Sequence, residues 1–126
     1  MIFLTKKDVL KIHQRTIEAQ GGTKGIRDES ALESAVFAPE NRFYYENANV
    51  FNCAAAYAFH LSSAHAFIDG NKRVAAVSAE VFLLINGFAI TANRKELEDL
   101  YLGIADGTFD RKEVEEFYRR STEPLG

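Results

Sequence analysis

The sequence predicts an all-α protein, a six-helix bundle with one short extended segment. Three observations carry this prediction. Apolar residues recur with the 3.6-residue period of a helix in six separate segments. Proline occurs only twice, and glycines stand where several of those segments end. Two central segments are rich in alanine and apolar residues, as expected of helices that form a bundle core.

The composition is that of an ordinary globular domain. The 126 residues include 15 Lys+Arg and 18 Asp+Glu, so the net charge is −3, and one domain over residues 1–126 is expected. A single cysteine excludes a disulfide framework and a cysteine-based zinc site. No apolar run approaches the ~20 residues of a bilayer span, and the start lacks a secretory pattern. We expect a cytoplasmic protein with no membrane contact and no direct nucleic-acid partner.

The first two helices are bounded by local signals. Thr5–Gln20 forms the first, because Thr5 and Asp8 have capping-box spacing and Gly21-Gly22 ends the pattern. The second runs over about Asp28–Ala38 and is predicted to end at Pro39, since the residue before a proline avoids the α conformation.

The residues from Pro39 to Ala48 predict an extended loop or small hairpin at the surface. Three adjacent aromatics, Phe43, Tyr44 and Tyr45, stand between polar residues that favour turns. Exposed aromatics on a loop indicate a binding role. The alternative is that these side chains fold back onto the core.

The remaining helices follow from periodicity and caps. The third and fourth form the predicted core, and Asn93 caps the fifth. Their predicted ranges are Val50–Ala64, Asn71–Asn86, Asn93–Asp106 and Asp110–Arg120.

Polar chemistry concentrates where the two core helices join, in the stretch HAFIDGNKR from His65 to Arg73. A helix that begins near Asn71 directs free backbone N–H groups and its positive dipole end at this loop. Gly70, Asn71, Lys72 and Arg73 therefore predict an anion site suited to phosphates.

Two further residues of the loop can supply a reaction. Asp69 offers hard oxygen ligands for a Mg²⁺ that bridges phosphates. His65 has a side chain that can accept a proton from an attacking hydroxyl near neutral pH. The pattern predicts phosphoryl or nucleotidyl transfer. A purely structural connector is the alternative.

The motif HAFIDGNKR resembles the signature loop of the Fic/Doc superfamily, and more narrowly its death-on-curing toxin branch. The segment GGTKGIRDESALESAVFAP and the later VFLLINGF are also similar to that branch. The resemblance implies a Fic/Doc-type bundle, with His65 as the general base and Asp69 as the Mg²⁺ ligand. It implies that Gly70, Asn71 and the backbone around Lys72 form the anion hole and that Arg73 contacts the nucleotide phosphates.

The same resemblance implies that Phe67 anchors the loop. It also implies a flap that aligns a target segment by strand-like pairing. By position along the chain, Phe43, Tyr44 and Tyr45 are assigned to that flap.

Two departures from the broader Fic pattern bear on the reaction. Adenylylating Fic enzymes usually have Gly where Lys72 stands and a second Arg where Ala76 stands. The toxin branch shares the lysine, and the resemblance implies that its members bind ATP reversed and transfer the γ-phosphate to elongation factor Tu, which arrests translation. Adenylylation remains the alternative reaction.

The resemblance also bears on regulation. Many Fic proteins carry an inhibitory helix with the pattern Ser/Thr-x-x-x-Glu-Gly/Asn. Here Glu46-Asn47 has Arg42 at the hydroxyl position, so the motif is not met. A separate antitoxin that docks a helix beside the active site is therefore the expected partner.

Two other functional classes fit the sequence less well. A catalytically idle interaction protein would be expected to lack the base or the metal ligand, and both His65 and Asp69 are present. A helical ribonuclease of the Arg-(x)4–6-His type fails on spacing. His13 and His60 are predicted to be structural, and Cys53 is predicted to be a core residue.

Overall fold

Six α-helices make up most of the chain in the computed structural model, which describes residues 1–126. The predicted all-α, six-helix architecture is confirmed. Two strands of three residues each pair antiparallel, and they are too short to appear in a periodicity analysis. No helix has both the length and the apolar character needed to span a membrane. The elements are α1 Lys6–Gln20, α2 Glu29–Glu46, α3 Val50–Ser63, α4 Asn71–Ile85, β1 Phe88–Ile90, α5 Arg94–Ala105, α6 Arg111–Arg120 and β2 Thr122–Pro124.

Side-chain caps begin every helix except α4. The predicted capping box of α1 is present: Asp8 N–H donates to Thr5 Oγ1 at 3.1 Å, and Thr5 N–H donates to Asp8 Oδ2 at 2.8 Å. An Asn or Asp forms a complete capping box at the start of α3, α5 and α6, whereas at α2 Asp28 only accepts a hydrogen bond from the N–H of Ala31. In α4 the cap position is Gly70, which has no side chain to accept from the first N–H groups.

The core lies where α3 packs against α4, α2 and α6. Every residue from Cys53 to Ala58 is buried, and the alanines in this run let the neighbouring helices approach closely. The prediction that α3 and α4 form the core is confirmed, as is the assignment of Cys53 to it. The last turn of α4 lies at the surface, since Leu84 and Ile85 are exposed.

The prediction of an extended segment over Pro39–Ala48 is wrong, because α2 continues through Pro39 to Glu46. A proline inside a helix loses one backbone hydrogen bond and costs about 3 kcal/mol. Burial offsets this cost: Pro39 lies in the core, and the ring of Phe43 packs edge-on against Phe3 at 5.5 Å. Tyr44 and Tyr45 are exposed, but on a helix rather than on a flap.

Candidate functional site

The predicted site residues lie on one short loop between the two core helices and on the first turn of α4. The chain reverses at His65, whose φ of 49° is in the left-handed region that non-glycine residues seldom adopt. Phe67 is buried and anchors the middle of the loop, as the resemblance implied. The side chains that bear the predicted chemistry, those of His65, Asp69, Lys72 and Arg73, are exposed.

Asn71 shapes this loop through its side chain. Its Nδ2 donates to the carbonyl oxygen of Phe67 at 2.9 Å, and its Oδ1 accepts from the N–H of Phe67 at 3.0 Å. Both ends of the amide are therefore used within the loop. Toward an anion, Asn71 offers its backbone N–H rather than its side chain.

The start of α4 has unused backbone donors. In the first backbone hydrogen bond of the helix, the N–H of Val74 donates to the carbonyl oxygen of Gly70 at 2.9 Å. The N–H groups of Asn71, Lys72 and Arg73 have no acceptor in the protein. Free N–H groups and the helix dipole favour an anion here, and the two cationic side chains increase the positive charge.

An extended segment runs alongside the loop, and it is residues 21–28 rather than Phe43–Tyr45. Arg27 N–H donates to the carbonyl oxygen of Ala66 at 2.7 Å, and Ile68 N–H donates to that of Gly25 at 3.2 Å. These two bonds flank the antiparallel pair Ile26–Phe67. In such a pair the N–H and C=O of Ile26 point away from the loop, toward a free edge.

The same segment holds the carboxylate of Asp69. Thr23 N–H donates to Asp69 Oδ2 at 3.0 Å, while Oδ1 has no hydrogen bond in the structure. The chain contains no group of three or more residues that could form a metal cage. One carboxylate with a free oxygen nevertheless fits Mg²⁺, which proteins often bind through one or two carboxylates together with substrate phosphates.

Helix α1 contacts the loop through the side chain of His13. The Nε2–H of His13 donates to the main-chain oxygen of Asp69 at 2.9 Å, because a carbonyl oxygen can only accept. Its ring stacks on Phe67, with the centroids 3.8 Å apart. His13 was predicted to be structural, and its buried contacts are made to the candidate site itself.

Neither the His13 contact nor the Thr23 contact could be predicted from the sequence. The partners are 56 and 46 residues apart along the chain. The one local signal is the Gly21-Gly22 pair, which ends α1 and begins the segment that runs along the loop.

The chain is similar to a known family over the residues that form this site. Residues 3–83 match the Fic/DOC family, a range that includes α1, the extended segment and the whole loop. The chain is 31% identical over 121 residues to "Protein kinase doc" of Escherichia phage P1, which covers 95% of both chains. It is also 37% identical over 93 residues to "Toxin Doc" of Mycolicibacterium smegmatis, covering 72% of this chain and 69% of that relative.

Proposed function

This chain belongs to the Fic/DOC family, and from that premise we propose that it is the toxin of a bacterial toxin–antitoxin pair, acting in the cytoplasm as a protein-modifying enzyme. The reaction we propose is ATP- and Mg²⁺-dependent transfer of the γ-phosphate to a hydroxyl of a translation factor. Elongation factor Tu is the first target to test. The phage P1 relative is named a protein kinase, and this similarity supports phosphate transfer.

One observation carries the proposal: an exposed imidazole, an exposed carboxylate and three free N–H groups meet on one loop. His65 accepts the proton of the target hydroxyl as its oxygen attacks the γ-phosphorus. A new O–P bond forms, the bond to the bridging β–γ oxygen breaks, and ADP leaves. Lys72, Arg73 and the N–H groups at the start of α4 stabilise the negative charge of the transferring group.

Asp69 is the residue that would hold Mg²⁺, through its free Oδ1 and together with phosphate oxygens. The ion, when bound, neutralises part of the phosphate charge. Thr23 N–H fixes the orientation of the carboxylate through its other oxygen. The extended segment is thereby coupled to the metal ligand.

The outward backbone groups of Ile26 supply the docking edge for a target segment. An extended peptide that pairs there would bring its hydroxyl beside the loop, since the opposite edge of Ile26 is already paired with Phe67. Ile26→Pro removes the outward N–H and should raise the KM for the protein target while leaving ATP binding unchanged. Ile26→Ala keeps the N–H and serves as the matched control.

The proposed partner is a separate antitoxin that docks a helix beside the active site. Exposed Leu102 and half-buried Leu97 lie on α5, along the same cavity as Lys72 and Arg73. Apolar side chains next to a charged site are what an amphipathic helix requires. Bound there, the antitoxin would shield the loop from its target.

The experiment that tests the reaction uses purified protein, Mg²⁺ and a bacterial lysate, with ATP labelled at either the γ- or the α-phosphate. Label from γ alone on one band, reproduced with purified elongation factor Tu, is the expected result. Label from α would make the enzyme an adenylyltransferase. If neither position labels a protein, the proposed transfer reaction is contradicted, and a catalytically idle interaction protein becomes the favoured function.

His65→Ala should abolish the labelling without changing the melting temperature, because His65 is exposed. His60→Ala is the matched control, since His60 is an exposed histidine on α3 outside the loop. Labelling that persists in a folded His65→Ala variant would contradict the role of His65 as the general base.

A further inference from the structure

A small cavity of about 280 Å³ lies between α1 and the extended segment. Its lining consists of His13, Gln14 and Ile17 from α1 and Lys24 from the extended segment. The volume is just below the range of small-molecule sites, which is about 300–1,000 Å³. The cavity therefore suits a single side chain of a partner rather than a nucleotide.

Ile17 places this cavity beside the candidate metal ligand. A Cβ added at Gly22 would lie 3.1 Å from Ile17 Cδ1 and 3.2 Å from Asp69 Oδ2, so the isoleucine and the carboxylate flank the same glycine. A Cβ added at Gly70 would lie 3.5 Å from Ile17 Cδ1. A side chain that enters the cavity would thus adjoin the loop that carries the proposed chemistry.

Two polar side chains of the cavity can donate hydrogen bonds to a ligand. Lys24 is exposed, and its ammonium forms no ion pair in the structure. Gln14 Nε2 donates one hydrogen to Glu18 Oε1 at 3.1 Å, which leaves the second hydrogen free, and Glu18 does not line the cavity. An ammonium, an amide donor and the apolar wall of Ile17 together fit the carboxylate and the methylenes of an acidic side chain.

The surface around the cavity is basic, although the whole chain carries a net charge of −3. Residues 1–28 contain six Lys or Arg and three Asp or Glu, which gives this part a net charge of +3. Each of the three carboxylates already accepts a hydrogen bond. An uneven distribution of this kind steers an acidic partner toward the basic face. Five of the six cations are exposed and form no ion pair: Lys7, Lys11, Arg15, Lys24 and Arg27.

The backbone of Lys24 faces the same free edge as that of Ile26. The N–H of Thr23 and the carbonyl oxygen of Gly25 are both hydrogen-bonded to the loop. Because neighbouring residues of an extended chain direct their backbone groups to opposite sides, those of Lys24 point outward. In a target segment paired with this edge, the residue opposite Lys24 is two positions from the residue opposite Ile26, and its side chain lies beside Lys24.

We propose that the basic face of α1 and the extended segment docks an acidic segment of the target protein, and that the cavity receives one Glu or Asp side chain of that segment. Lys24 and Gln14 bind its carboxylate, and Ile17 contacts its methylenes. This inference rests on the proposed function and names the residues that select the target.

A protein segment fits the cavity better than a nucleic acid does. Single-stranded nucleic acids are bound by aromatic rings on which their bases stack. The one ring that lines the cavity is that of His13, which is buried and already stacked on Phe67.

The test uses steady-state kinetics with the full chain, ATP and the protein target that the γ-label identifies. Lys24→Glu should raise the KM for that target at least about ten-fold, because repulsion replaces a charge-assisted hydrogen bond. The kcat and the KM for ATP should keep their wild-type values. The matched control is Lys112→Glu, because Lys112 is exposed, unpaired and located on α6 outside the cavity. Melting temperatures establish that both variants are folded.

A charge exchange then tests the selection of a carboxylate. Each Asp or Glu near the modified hydroxyl of the target is replaced in turn by Lys. One of these altered targets should be a poor substrate for wild type and a better one for Lys24→Glu. If no altered target is rescued in this way, the selection of a carboxylate by Lys24 is overturned.

The remaining outcomes separate this inference from the proposed function. Equal KM values for wild type and Lys24→Glu, with transfer intact, would overturn the inference and leave the proposed function standing. A difference in KM that disappears after nuclease treatment of the target would make the face a nucleic-acid surface instead. Wild type that transfers label to no protein would contradict the proposed function itself.

Discussion

His13 Nε2 lies 2.9 Å from the main-chain oxygen of Asp69, so a buried side chain of α1 supports the peptide that carries the candidate metal ligand. The imidazole also stacks on Phe67, with the two rings within 8° of parallel. The position of the loop therefore depends on α1 as well as on the two helices that the loop connects.

The first prediction concerns His13. His13→Ala should destabilise the protein by about 1–3 kcal/mol, because the carbonyl oxygen of Asp69 and the face of Phe67 lose their partner. It should also raise the Mg²⁺ concentration needed for half-maximal transfer, since the peptide of Asp69 is released. Chemical unfolding and a Mg²⁺ titration measure the two effects.

His13→Gln keeps an N–H donor and should restore part of the Mg²⁺ response. His60→Ala should leave that response at the wild-type value. If His13→Ala lost only stability while its Mg²⁺ dependence stayed unchanged, His13 would be a core residue and nothing more.

The second prediction uses two adjacent glycines. A Cβ at Gly22 would lie 3.2 Å from Asp69 Oδ2 and 3.1 Å from Ile17 Cδ1, whereas a Cβ at Gly21 would meet nothing within 4 Å. Both residues have positive φ, so alanine strains the backbone at either position. Gly22→Ala should reduce transfer more than Gly21→Ala at equal loss of stability, because it displaces the Asp69 carboxylate.

Transfer rates measured at saturating ATP, beside melting temperatures, check this comparison. Equal losses of activity in the two variants would show that the effect comes from the backbone strain they share. The contact between the extended segment and Asp69 would then have no catalytic consequence.

The third prediction concerns the pH dependence of stability. Burial raises the pKa of Glu80 above its ordinary 4.5, although Tyr101 and Arg73 act in the opposite direction. A carboxyl group with a raised pKa in the folded state favours folding at low pH, and this contribution is lost as the pH rises through the folded pKa. Glu80→Gln does not titrate, so its stability relative to wild type should increase as the pH is raised above 4.5.

Melting temperatures of wild type and Glu80→Gln over this pH range measure the difference. Glu18→Gln removes an exposed carboxylate from α1 and controls for the loss of one surface charge. A constant difference between Glu80→Gln and wild type at all pH values would contradict the raised pKa.

The fourth prediction concerns Cys53. It is completely buried, and burial raises the pKa of its thiol to about 11. Because the thiolate is the reactive form, Cys53 should resist alkylation at pH 8 in the native protein and react rapidly in denaturant. Mass spectrometry after iodoacetamide treatment measures this, and fast native labelling would indicate that α3 opens locally.

Much of the fold followed from local sequence. The capping box at Thr5, the cap at Asn93 and the stop at Gly21 mark helix ends within a few residues, and the structure has them where they were predicted. The failure at Pro39 has a tertiary cause. The local rule ends the helix there, but the burial of Pro39 and the packing of Phe43 on Phe3 offset the lost hydrogen bond.

The sequence by itself determined the helices, apart from the second half of α2, and it grouped the candidate residues of the loop, because His65, Asp69 and the start of α4 lie within nine consecutive residues. Only the tertiary structure decided what supports that loop. His13, Thr23 and the extended segment lie well away from the loop along the chain, and they reach it through a few hydrogen bonds and one ring stack. Such contacts have no periodicity or spacing in the sequence, since they arise only when α1 and the segment after it pack against the loop.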